Sequence, residues 1–134
     1  MMTLEQAELE IRTRLAQFDG VDVIQFENQA LDEGQHFKPP KDKLWCKAYI
    51  QYSGSNIVGI GNQPCIRDHG MISIQCFAPL NSGTTAMAKL CDGWRAFLQN
   101  FGVSHLEVYL VHAPQYMDDK HFYAKIIRAE FRVN

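Results

Sequence analysis

The chain has 134 residues, of which 46% are apolar and 21% charged, and its formal net charge is −2. That length suits one hydrophobic core, so residues 1–134 are read as a single domain, and the composition excludes a disordered chain. The slightly acidic balance supplies no general field for phosphate, which argues against a nucleic-acid partner.

The first residues, MMTLEQAELE, carry acids where a secretion signal would carry bases, and no apolar run is long enough to span a bilayer. Cys46, Cys65, Cys76 and Cys91 are 19, 11 and 15 residues apart, so no Cys-x-x-Cys pair suggests a zinc ribbon or a redox motif. The expectation is a protein made in a reducing cytosol with free thiols.

In chain order, Thr3 and Gln6 fit a capping box that opens a helix. Leu4, Ala7, Ile11, Leu15 and Phe18 recur every three or four residues and form its apolar stripe. Glu5 in the first turn and Arg12 and Arg14 towards the end suit the helix dipole, and Gly20 is the expected stop. Residues 21–26 read as a short strand. From 27 to 43 the chain turns polar, and Gly34, Pro39 and Pro40 predict a long arm without regular structure.

Leu44, Cys46, Ala48, Ile50 and Tyr52 alternate with more polar neighbours, the pattern of a half-buried strand. Residues 53–63, with Gly54, Gly59 and Gly61 around Ile57 and Val58, predict a long hairpin end or a flap. A second strand is expected over 70–78, ended by Pro79. Asn81 or Ser82 should cap a second helix with Met87, Leu90, Trp94, Leu98 and Phe101 on its buried side, closed by Gly102. Two further strands follow, one carrying Leu106, Val108 and Leu110, the other Ile127, Ala129, Phe131 and Val133. This order predicts an α+β fold, two amphipathic helices packed on a mainly antiparallel sheet.

The chemistry on offer is thin. Cys65 and His69 stand four apart beside Arg67 and Asp68, the best nucleophile–base candidate and the basis for the alternative of a small cytosolic enzyme. Against it, the region reads as strand or hairpin, where Cys65 packs as a small hydrophobe and its neighbours decorate a turn. His36, His69, His105, His112 and His121 show no metal-ligand spacing, and surface roles are the simpler reading. The three glycines lack the Lys-Ser/Thr ending of a phosphate loop. Asp118 and Asp119 read as a turn rather than as a catalytic carboxylate pair with Asp92. Trp45, Tyr49 and Tyr52 with Lys47 could stack bases, but the charge balance disfavours it. No catalytic residue, metal or cofactor is therefore expected.

The stretch Arg67-Asp68-His69-Gly70-Met71-Ile72-Ser73-Ile74-Gln75-Cys76-Phe77-Ala78-Pro79, followed by Gly83, Ala86, Leu90, Asp92 and Phe97, resembles the tail-terminator (minor tail protein U-like) family of long-tailed bacteriophages. Ile11 to Leu15, Val23 to Asn28, Trp45 to Tyr49 and the ending Phe131-Arg132-Val133 extend the resemblance over nearly the whole chain. The turn at Pro79-Leu80-Asn81-Ser82-Gly83 departs from the family in having fewer glycines, and the segment after Asn28 lacks an early proline.

The resemblance implies a non-enzymatic virion protein, made in the host cytoplasm, that forms a hexameric ring, caps the tail tube and provides the head-joining surface. Its implied partners are copies of itself, the major tail tube protein and head-completion or connector proteins, with neither nucleic acid nor membrane; in dilute solution a monomer or a weak ring is expected. A head-completion or tail-tube ring subunit is the alternative within the same class. Loops commonly carry binding, so the arm 28–43 and the flap 53–63 are the expected contact segments, with Phe37, Trp45, Asn56, Ile57 and Val58 as candidate interface residues. Trp45 can equally belong to the core.

Overall fold

The computed structural model describes residues 2–27, 39–59 and 66–134. Helix α1 spans Leu4–Ala16, strand β1 Ile24–Phe26, β2 Trp45–Ile57, β3 Ile66–Pro79, helix α2 Thr85–Leu98, and β4 to β7 Gly102–Val103, Leu106–Val111, Gln115–Met117 and Phe122–Val133. The chain is thus α+β, with a sheet ordered β1-β2-β3-β7-β5-β4 and β6 pairing with β7 beside β5. All pairings are antiparallel except β1 with β2.

Helix α1 starts as its sequence requires. The Gln6 amide donates to the Thr3 hydroxyl at 3.1 Å and the Thr3 amide donates to the Gln6 side chain at 2.9 Å, so two otherwise orphaned N–H groups are satisfied. Ala7, Ile11 and Leu15 are buried, Phe18 packs half-buried beyond the helix end, and Leu4 stays exposed. The helix ends at Ala16 with Gln17 as its cap, four residues before the expected stop at Gly20.

Helix α2 begins later than expected, at Thr85. Asn81 and Gly83 both adopt left-handed φ values of 65° and 86°, and the Ser82 hydroxyl donates to the Pro79 carbonyl. Asn81 and Ser82 are therefore consumed by the turn out of β3 and cap nothing. At the other end Asn100, at φ 65°, makes the left-handed exit that was expected of Gly102, which instead opens β4. Met87, Leu90, Cys91, Trp94 and Leu98 are buried.

The two central strands are long. β3 pairs with β2 from Phe77 to Ile66 and with β7 from Pro79 to Asp68. Cys46 and Ala48, with Ile72, Ile74, Cys76, Ala129, Phe131, Leu106 and Val108, join the buried residues of both helices in one apolar cluster. Residues directly opposite in an antiparallel pair share a face, so Trp45, Phe77 and Ala124 point the other way. There they form a smaller cluster with Val23, Met117 and Phe122.

Two irregularities redirect side chains. The β5–β7 register slips between Val108 and Leu110, which turns Val111 into the core and leaves Leu110 42% exposed, contrary to the simple alternation. The β2–β3 register slips between Tyr52 and Gly54. Next to that bulge Gly70 lies opposite Phe131, and an added Cβ would meet the Phe131 ring at 2.5 Å and the Gln51 carbonyl oxygen at 2.8 Å. Only glycine lets the ring cross there.

Candidate functional site

The β2–β3 hairpin is where the fold departs most from a closed core. After the bulge, four rungs remain: Gly54–His69, Ser55–Asp68, Asn56–Arg67 and Ile57–Ile66. β7 follows β3 only as far as Asp68, so the last two rungs stand beyond the sheet's third strand. The expected flap is, through Ile57, regular strand; residues 60–65 lie outside the described part.

Polar contacts brace this hairpin from side to side. The Asn56 amide nitrogen and His69 Nε2 lie 3.2 Å apart, the Ser55 hydroxyl donates to Asp68, and Arg67 Nε donates to the Asn134 side-chain oxygen at 2.6 Å. At its outermost described rung, Ile57 is 70% exposed and Ile66 38%, and Val58 next to it 49%. Branched aliphatic side chains paired across a rung and left exposed form an apolar patch.

Among the described residues, the outer edge of β2 has a partner over only part of its length. β1 covers it only from Cys46 to Ala48, and the Glu27 amide donates to the Ala48 carbonyl at 3.1 Å. From Ile50 onward no described strand pairs with that edge. A cleft of about 180 Å³ runs alongside, walled by Glu8, Arg12, Phe26, Glu27 and Tyr52. The Tyr52 phenol lies above its ordinary pKa through partial burial first, then through the carboxylates of Glu8 and Asp68.

A second groove, of about 670 Å³, lies between the end of α1 and α2. Phe18, Leu44, Leu90 and Phe97 line it, with Ala86, Gly93 and Ala96 along its α2 side and Arg14, Asp19 and Lys89 around it. The Phe18 ring stacks on Trp94 at 3.8 Å, and a Cβ added at Gly93 would meet that ring at 3.4 Å, an ordinary contact. Arg14 holds the far wall, donating to the Phe97 carbonyl at 2.8 Å with its guanidinium over the Phe97 ring.

The candidate residues fall in different places. Asn56, Ile57 and Val58 sit together on the hairpin and are exposed. Trp45 is 2% exposed, stacked on Phe77 at 4.2 Å and edge-on to Phe122, so in the single chain it is a core residue. Phe37, His36, Cys65 and Gly61 lie outside the described residues, as does most of the arm 28–43. Trp45 and Tyr49 share one sheet face while Tyr52 lies on the other, so they do not make one stacking platform.

The remaining polar candidates are scattered. His112 Nε2 meets Glu130 at 2.8 Å across the β5–β7 pair. Asp119 accepts the amides of His121 and Phe122, which makes it the anchor of a turn. Asp118 accepts from the Tyr116 phenol, raising that phenol's pKa. Among the described residues, no three His, Cys, Asp or Glu side chains are grouped to hold a metal ion.

One convergence escaped sequence reasoning. Cys46, Cys76 and Cys91 are all fully buried, with Cys46 and Cys76 directly opposite on β2 and β3 and their Sγ atoms 3.7 Å apart. Hydrogen bonding with Cys46 and Cys91, together with burial, pushes the Cys76 thiol far up, so it stays protonated. These thiols behave as small core hydrophobes. No linear spacing could reveal them, because the strand register brings them together.

No protein-family model matches the sequence, and no curated protein matches it significantly. A solved chain that carries no functional name superposes on it with a TM-score of 0.69 at 13% identity, over 100% of this chain and 97% of the other. At that identity the likeness extends to the fold, an α+β domain with two helices and a mostly antiparallel sheet.

Proposed function

We propose that the chain is a tail-terminator, or tail-completion, protein of a long-tailed bacteriophage: a non-enzymatic subunit that closes into a ring of six, caps the tail tube and offers the head its joining surface. In this reading both amphipathic helices lie on one face of the sheet and leave its hairpin and open edge for neighbouring subunits. The major tail tube protein and the head-completion proteins are its other partners, and it works in the virion tail after assembly in the host cytoplasm.

The observation that carries the reading is the outermost described rung of the β2–β3 hairpin. Ile57, Val58 and Ile66 are exposed on a braced two-stranded projection next to a β2 edge that no described strand pairs with beyond Ala48, and both features favour contact with another chain over work on a small molecule. The order helix, strands, helix, strands agrees with the family that the sequence resembles. A head-to-tail contact of this kind closes into a ring when its rotation is a simple fraction of a turn.

Electron microscopy of the purified protein mixed with tail tubes tests the reading. Density at one end of each tube is the expected result. Attachment to the head connector instead would favour the head-completion alternative, and incorporation along the tube the tail-tube one. An activity abolished by Cys65→Ser would replace the assembly reading with an enzymatic one.

A further inference from the structure

We infer that Cys46 and Cys76 form a redox-sensitive staple, open as two thiols in reducing surroundings and closed as a cross-strand disulfide under an oxidising glutathione poise. The inference is independent of the assembly reading, since it concerns only the two central strands. The residues are directly opposed on β2 and β3, and their Sγ atoms lie 3.7 Å apart. The Cys46 amide donates to the Val23 carbonyl and the Ala48 carbonyl accepts from the Glu27 amide, so this set of alternate β2 residues turns its backbone groups towards β1. Cys46 and Cys76 are therefore a pair that exchanges no backbone hydrogen bond. Pairs of that kind bring their Cα atoms to about 4.5 Å, with the side chains close together. Disulfides span Cα separations of roughly 4.4–6.8 Å, so the two sulfurs can be joined without parting the strands.

The same spacing decides what kind of bond results. A disulfide at the short end of its range stores strain and is more easily reduced. Strained disulfides are the labile, regulatory ones rather than permanent braces. Closure by glutathione disulfide runs in two exchanges. One cysteine thiolate attacks a glutathione sulfur, which forms a mixed disulfide and expels a glutathione thiolate. The second cysteine then attacks the protein sulfur of that mixed disulfide and expels the other glutathione. Two protein thiols are oxidised, one glutathione disulfide is reduced, and the two protons pass from the cysteines to the departing glutathione thiolates. Both cysteines are fully buried, so the exchange takes place in the unfolded chain and the native register selects the product. Cys91 also hydrogen-bonds with Cys76, which makes Cys76–Cys91 the competing link. The register favours Cys46, because no strand pairing fixes a residue of α2 opposite β3.

The test is refolding of the full-length chain from urea into buffers of graded oxidised and reduced glutathione, followed by acid quenching, alkylation and peptide mass mapping. A Cys46–Cys76 link should be the major product at an oxidising poise and should be absent at a strongly reducing one. Its equilibrium constant should be roughly thirtyfold larger in folded protein than in urea, the low end of what a disulfide contributes to stability. The closed form should accordingly show a urea midpoint about 1 M above that of the same protein in dithiothreitol. Cys46→Ala should lose the link and the gain, whereas Cys91→Ala should keep both. Folded protein with Cys46 and Cys76 still reduced at the most oxidising poise would overturn the inference, as would a link to Cys91 or Cys65 in its place. A link that forms equally well in urea would remove the role of the register. One that stays closed at the strongly reducing poise would make it a permanent brace and refute the switch.

Discussion

Replacing Trp45 by alanine separates a core residue from an interface anchor. The side chain is 2% exposed, its ring stacks on Phe77 with centroids 4.2 Å apart, and Phe122 meets it edge-on at 5.4 Å. Removing a buried tryptophan costs about 3–5 kcal/mol, including the lost aromatic contacts. A domain of this size has about 5–15 kcal/mol of stability in all, so the variant should fold but sit close to its limit. With a urea dependence of about 2 kcal/mol per M, the unfolding midpoint should fall by about 2 M. The assay is urea denaturation followed by far-ultraviolet circular dichroism on dilute protein, where self-association contributes nothing. Trp45→Phe, which keeps a ring against Phe77, should fall less. An alanine variant whose midpoint matches the wild type would refute the packing argument and return Trp45 to the list of surface anchors.

Gly70→Ala should destabilise the fold by about 1–3 kcal/mol, read as a lower melting temperature, because the new methyl meets the Phe131 ring and the Gln51 carbonyl oxygen. Gly54→Ala, with open space around it, should cost much less on the same instrument. Thr3→Ala should lower stability by about 1 kcal/mol through loss of the α1 cap, and Thr3→Ser should restore most of it. Titration with a thiol reagent should leave Cys46, Cys76 and Cys91 unmodified in native protein and expose them in urea; rapid native labelling at any of the three, located by peptide mass mapping, would contradict their burial.

Much of this architecture can be read from local pattern. The α1 capping box, its Ala7–Ile11–Leu15 stripe, the buried side of α2 and the alternation of Ile127, Ala129, Phe131 and Val133 all follow from interactions within one element and its neighbouring turn. What escaped depends on distant pairing. The bulge beside Val108 exposes Leu110, and no neighbour in the sequence announces it. Asn81 and Ser82 have the chemistry of helix caps, yet the left-handed turn out of β3 uses them first. β6 is three residues long and exists because β7 runs past the end of β5. The parallel pairing of β1, and the meeting of Cys46 with Cys76, likewise require the register of separate strands.

The candidate surface was legible in outline. Ile57 and Val58 stood out as apolar residues in a glycine-rich stretch, and the structure puts them at an exposed strand end. Ile66 was not singled out, because its partnership with Ile57 follows from a register that the Tyr52–Gly54 bulge sets. The α1–α2 groove also went unseen, because Phe18 and Leu90 read as core positions.

Class averages of the concentrated protein, recorded by electron microscopy without any partner, test the assembly account most directly. The account predicts closed rings with sixfold symmetry, lost when Ile57 is replaced by aspartate. Single subunits at every concentration, or open filaments in place of rings, would contradict it.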